Sequence, residues 1–279
     1  MKRSNKINCI FSFIFIFIFF AGLSIVFCKP MLRDVLSYTI YKEEWELIKG
    51  RKFNFDYSWM SSNNEKIRIA HALGFANADM RNSFEGYVKA KRAGFKFYEV
   101  DLWLDEQGIV RCHHGPDLPS IFKIGDCSFS TIQEKVCSDG NYLVLDIKTD
   151  FASTMRIIEP QLLLISKRCI IFQLYKPSDF LIFEIVAEKH NLLGPIYTYY
   201  LTRRNIKTVF DIVVSSGVKA ITAPISANLS GLKERDKFFL LAHPIDDCES
   251  YRDASNLSLN GIYTTVDFLE NKLPKCDVQ

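Results

Sequence analysis

The stretch Phe97-Tyr-Glu-Val-Asp-Leu-Trp-Leu-Asp-Glu-Gln-Gly-Ile-Val-Arg-Cys-His-His-Gly-Pro116 decides how the chain is read. Its first half is dominated by β-formers: Phe97, Tyr98, Val100, Leu102 and Trp103. Side chains alternate along a strand, so Glu99 and Asp101 share one face while Tyr98, Val100 and Leu102 turn toward an apolar layer. Glu106-Gln-Gly108 then turns the chain, and Ile109 to His114 reads as a second short strand.

Two neighbouring carboxylates raise each other's cost of ionising, and a bound cation removes that cost. An oxygen-only donor set favours a hard ion, Mg²⁺ or Ca²⁺. A solvent-facing pair on an edge strand is the plain alternative, so the rest of the chain has to decide.

From Lys66 onward the pattern is strand, helix, strand, helix. Ile67-Arg-Ile-Ala-His71 is a strand ending in His, and 82–93 is an amphipathic helix stopped by Gly94. After the carboxylate strand come strands at 142–148, 169–173, 194–198, 220–224, 238–243 and 261–264, with helices such as 178–190 and 208–216 between them. Eight parallel strands alternating with helices over about 210 residues predict an α/β fold, a (β/α)₈ TIM barrel. Active-site groups of such a barrel stand at the carboxyl ends of its strands. His71, Glu99, Asp101, His114, Asp146, Lys148, Gln173 and His243 all fall there. On the 142–148 strand, Tyr142, Val144, Asp146 and Lys148 share one face; an acid and a base inside an apolar strand are expensive unless paired or liganded.

Taken in order, these residues resemble the glycerophosphodiester phosphodiesterase family of the phosphatidylinositol-phospholipase-C-like barrels, over residues 67 to 270. The matching stretches are Ile-Ala-His71, Glu99-Val-Asp101, His114-Gly, Asp146-Ile-Lys148 and the closing Gly261-Ile-Tyr-Thr-Thr-Val-Asp267. The resemblance implies a metal-dependent phosphoric diester hydrolase in which His71 and His114 are general acid and base. It implies Glu99, Asp101 and Asp146 as metal ligands, with Lys148 holding a phosphate oxygen. The 13-residue step from Asp101 selects His114 over His113, and strand alternation agrees. Gln173 and His243 are candidates for substrate contact, and Asn82 is retained from the family's Pro-Glu-Asn-Thr stretch. Departures are Asp146, where Glu is common, and His71-Ala-Leu-Gly74 with Met80-Arg-Asn-Ser83, which lack the family's phosphate-binding Arg and a carboxylate. Arg81 is a candidate to supply the lost positive charge, with a surface Arg at a helix start as the alternative. His114-Gly-Pro with Leu145-Asp-Ile-Lys-Thr149 is also similar to sphingomyelinase-D-type phospholipases, the second reading; a tethered binding barrel without turnover is the third.

The composition bounds the rest. The chain has 279 residues, 48% hydrophobic, with a net charge of +3 and no basic run interleaved with aromatics, which excludes nucleic acid as a partner. Residues 1–8 form a basic tail, and residues 9–28 an uncharged Ile/Phe-rich run long enough to span a bilayer. Basic residues before it predict a cytoplasmic N-terminus and an exported barrel. A cleaved signal peptide, giving a secreted protein, is the competing reading. Residues 29–66 form a lead-in whose aromatics pack on the barrel or the membrane surface, and 67–279 the barrel. Export permits disulfides, and Cys127–Cys137 is the expected bridge, with Cys112 and Cys169 as buried thiols. No Cys-x-x-Cys occurs, which argues against zinc.

Overall fold

The computed structural model describes residues 45–61, 66–77, 79–115, 127–162, 168–199, 206–227, 229, 238–257 and 259–278. The chain divides into two units, Met1–Glu43 and Glu44–Gln279, and the first lies outside the described residues. So do the expected 9–28 span and residues 29–44 and 62–65 of the lead-in; among the described residues no helix is long and apolar enough to cross a membrane.

The second unit is a closed barrel. Its strands are β1 (Ile67–Ala70), β2 (Phe97–Leu104), β3 (Val110–Cys112), β4 (Tyr142–Ile147), β5 (Ile170–Leu174), β6 (Ile196–Thr198), β7 (Ala220–Ala223), β8 (Phe239–Ala242) and β9 (Gly261–Thr264). Eight of them pair in parallel, and β1 closes the ring by pairing with both β2 and β9. The exception is β3, which folds back antiparallel on the overhanging end of β2 with Leu102 opposite Cys112. The helices between strands are α1 (Phe84–Arg92), α2 (Phe129–Ser138), α3 (Phe151–Leu162), α4 (Pro177–His190), α5 (Ile206–Ser215) and α6 (Cys248–Asn256). Local chemistry sets their starts. Ser83 accepts the Gly86 N–H at the head of α1, and Asp247 accepts the Ser250 N–H at the head of α6.

The lower barrel is filled by inward residues from every parallel strand, among them Ile67, Ile69, Phe97, Val144, Ile171, Ile196, Ala220, Leu241 and Tyr263. The lead-in completes this core. Trp59 packs edge-on against Phe97 and Phe239, and its indole donates to the Gly194 carbonyl at 3.0 Å. Tyr57 lies so flat on Gly194 that a Cβ there would meet its ring at 2.8 Å, and its hydroxyl donates to the Pro195 carbonyl. With the base sealed by aromatics, the polar interior opens only upward, toward the carboxyl ends of the strands.

The expected cysteine pairing is corrected. The bridges are Cys112–Cys127, Cys137–Cys169 and Cys248–Cys276. Cys127 precedes α2 and Cys137 lies in its last turn, and a helical rise over the ten steps between them sets their Cα atoms about 15 Å apart, too far for one bond. Cys127 instead lies beside β3, where its carbonyl takes the Cys112 N–H, and Cys137 at the end of α2 meets Cys169 at the foot of β5.

Candidate active site

Strand β2 carries the centre. Its outward residues Tyr98, Val100 and Leu102 are fully buried under the helices, and its inward Glu99 and Asp101 are 1% and 0% exposed. In register, Asp101 pairs with Asp146 on β4, and Asp146 with Gln173 on β5. Carboxylate oxygens of Glu99, Asp101 and Asp146 therefore come within 4.8 Å of one another. Three buried acids at this spacing suit a hard cation, since every donor is oxygen and water is excluded from the outer face.

Charge around the acids is unevenly shared. Lys148 Nζ lies 2.6 Å from Asp146 Oδ2 and 3.0 Å from Asp101 Oδ1. Burial works to lower the Lys148 pKa, but Asp146, Asp101 and Glu99 hold it above the usual lysine range. Burial also works to raise Asp101, yet Lys148, the Asn82 amide and the nearby histidines keep it well below the usual carboxylate range. Glu99 is the opposite case. Burial and then the charges of Asp101 and Asp146 push it well up, and its Oε2 accepts the Ala72 N–H at 2.6 Å. Asp146 is raised by burial against the pull of Lys148, and Tyr175 donates to its Oδ1 at 2.6 Å. Among the described residues Glu99 is the one acid of the three with no ion pair to a cation, which fits a metal ligand.

The bend after β1 shapes the other edge. Ala72 and Leu73 take left-handed conformations, φ 47° and 60°, which cost L-residues about 1–2 kcal/mol each. That turn aims the Ala72 N–H at Glu99 and sets His71 over the acids. Gly74 allows it: a Cβ there would meet the Ala90 Cβ of α1 at 2.7 Å. His71 Nδ1 is buried without a hydrogen-bond partner among the described residues. Burial lowers the His71 pKa, Asp101 and Asp246 work against it, and Arg81 and Lys148 reinforce it. His114 stands at the rim with much of its ring open to solvent. Loss of the remaining hydration lowers its pKa against the attraction of Asp101. His113 is turned onto its own loop, its Nδ1 against the Gly115 carbonyl.

Each residue singled out from sequence can now be placed. His71, Asn82, Arg81, Glu99, Asp101, His114, Asp146 and Lys148 form one cluster. Asn82 and Arg81 both reach Asp101 Oδ2, at 2.7 and 3.2 Å. Gln173 is buried beside Asp146. His243 stands on the far wall, hydrogen-bonded through Nδ1 to Thr222 at 2.8 Å. Sequence reasoning missed Tyr175 and Asp246. Tyr175 was findable, because it continues the inward series Ile171, Gln173, 175 along β5. Asp246 lies in the loop after β8, where no periodicity marks it.

No protein-family model matches the chain, and no curated protein matches it in sequence. Solved structures do match its fold. A phosphodiesterase from Oleispira antarctica, in complex with the product sn-glycerol-3-phosphate, superposes with a TM-score of 0.56 at 14% identity, covering 76% of this chain and 97% of that one. A glycerophosphodiester phosphodiesterase from Parabacteroides distasonis gives 0.57 at 12% identity, covering 78% and 99%. One from Agrobacterium tumefaciens gives 0.51 at 11%, covering 73% and 98%. The fold of this chain is thus the barrel of the glycerophosphodiester phosphodiesterases, spanned almost end to end.

Proposed function

We propose that the chain is a metal-dependent phosphodiester hydrolase acting on glycerophosphodiesters or related headgroup phosphodiesters. One observation carries the reading: the ligand oxygens of Glu99, Asp101 and Asp146 lie within 4.8 Å of one another, and the charge of Asp101 acts on both His71 and His114. The fold shared with solved glycerophosphodiester phosphodiesterases supports the same substrate class.

Glu99, Asp101 and Asp146 would hold Mg²⁺ or Ca²⁺, which when bound supplies positive charge to the phosphoryl oxygens. Lys148 and Arg81 bring further donors to those oxygens. His71, kept neutral by burial, accepts the proton of the nucleophile, water or a neighbouring substrate hydroxyl. His114, at the solvent-open rim where it can take up a proton from water, delivers that proton to the oxygen of the leaving alcohol as the P–O bond breaks. Asn82 fixes Asp101, and Tyr175 fixes Asp146. Three disulfides among the described residues support a barrel working outside the reducing cytoplasm.

The test is product release from glycerophosphodiesters and from bis(p-nitrophenyl) phosphate, with and without chelator. Release that stops on chelation and returns with Mg²⁺ or Ca²⁺ is expected. Absence of metal-dependent release from every substrate would leave the barrel as a binding protein.

A further inference from the structure

On the outside of the barrel, β1 departs from the pattern of its neighbours. The outward positions of β4, β5, β7 and β8 are apolar and buried under the helix layer, Leu143, Phe172, Ile221 and Leu240 among them. β1 instead turns Arg68 outward between the inward Ile67 and Ile69, and Arg68 is exposed. Its register partner on β9 is the buried Ile262. Beside these two strands stand α6 and two short helical turns, Phe268–Lys272 and Leu273–Val278. A cavity of about 240 Å³ lies between them.

The cavity is amphipathic. Leu259 and Ile262 are buried at its floor, and Leu269 and Leu273 line its side half-buried. Lys66 and Arg68, both exposed, stand at its mouth. Among the described residues no acid lines it, and neither cationic side chain takes part in a hydrogen bond or an ion pair. Two like charges side by side disfavour each other, and an anion placed between them removes that cost. The turns are fastened to α6. The Cys248–Cys276 bridge joins them, Arg252 donates to the Cys276 carbonyl at 3.1 Å, and the Tyr251 and Phe268 rings meet at 5.9 Å. These ties hold the turns to the helix, and the gap beside Arg68 stays open.

We infer that this cavity binds a single-chain amphiphilic anion, a fatty-acid carboxylate, with its chain among the four apolar residues and its head between Lys66 and Arg68. The Arg fork matches a carboxylate with two parallel N–H donors, and Lys66 adds a second charge. At about 240 Å³ the cavity lies below the usual range for drug-sized ligands, so it takes one acyl chain and not two. The inference stands apart from the phosphodiester reading, because Arg68 faces away from the acids across β1.

The test photolyses the full chain with decanoate carrying a diazirine at its tail and maps the label by peptide mass spectrometry. Labelling is expected on peptides containing 259–262 and 269–273, about 5-fold or more above the matching decanol probe. Unlabelled decanoate should compete about 10-fold better than octanoate, which has two methylenes fewer. Arg68→Gln and Lys66→Gln, both at exposed positions, should each cut the labelling about 3-fold. The comparison of acid with alcohol needs no substitution, so misfolding of a variant does not shield the idea. Equal labelling by the two probes overturns it, since the cations would then play no part. So does label spread over other peptides. Label that reaches these peptides only when phosphatidylglycerol vesicles are present also overturns it, because the occupant would then be a membrane surface.

Discussion

Asn82 and Asp101 hold each other at two points: Asn82 Nδ2 donates to Asp101 Oδ2 at 2.7 Å, and the Asp101 backbone N–H donates to Asn82 Oδ1 at 3.0 Å. Asn82 does this from a left-handed backbone, φ 52°, which Asn tolerates better than most residues. Asn82→Ala loses both bonds and keeps the strain, so unfolding stability should drop by about 2–4 kcal/mol in urea titration. Asn82→Gly removes the strain alone and should recover part of that loss. Equal stability of the alanine variant and the wild type would mean that the clamp contributes nothing.

Lys148 is the fixed cation between two buried aspartates. Lys148→Met leaves Asp101 and Asp146 without it, and breaking a buried pair from one side costs about 3–5 kcal/mol. A divalent ion should offset part of this by binding the folded state, so the rise in Tm on adding Mg²⁺ or Ca²⁺ should be larger in Lys148→Met than in the wild type. Asp146→Asn, which removes a ligand, should show a smaller rise than the wild type. Identical shifts in all three proteins would place the cation elsewhere.

Asp246 bears on His71 from the loop after β8. Its negative charge favours the imidazolium and works against burial. Asp246→Asn removes that support, so the His71 pKa should fall and the acid limb of kcat/KM should move to lower pH. A shift to higher pH, or none, would show that the carboxylate does not act on the base. His71→Asn and His114→Asn should each lower kcat by at least about 100-fold, the usual share of a general acid or base.

How much of this was legible depends on whether the signal was periodic. Alternation along β2 and β4 gave the inward faces of Glu99, Asp101 and Asp146, because a period of two leaves no choice of side once one face is apolar. The barrel followed from eight such runs. Cysteine pairing followed no period: Cys112 and Cys137 find partners through the return of the chain beside β3 and the approach of the end of α2 to the foot of β5, contacts that exist only in the folded chain. The place of Trp59 beneath the barrel and of Asp246 beside His71 was hidden for the same reason, since both lie in segments without repeating pattern.

His243 gives a pH dependence whose sign can be worked out. Its folded pKa is held at about 3 by burial, reinforced by His71 and Lys148, against 6.5 for the free side chain. Above pH 6.5 the imidazole is neutral in both states and adds no slope. As pH falls from 6.5 toward 3 the unfolded chain binds a proton that the folded chain does not, so folding stability falls by up to about 1.4 kcal/mol per pH unit from this group. His243→Asn keeps a side chain able to bond Thr222 and removes the titration. Urea unfolding between pH 6 and pH 4.5 should therefore show a shallower loss in the variant, by roughly 2 kcal/mol over the interval. Parallel curves for the two proteins would mean that His243 takes its proton in the folded state as readily as in water, and the wall it belongs to would then be charged rather than neutral in acid.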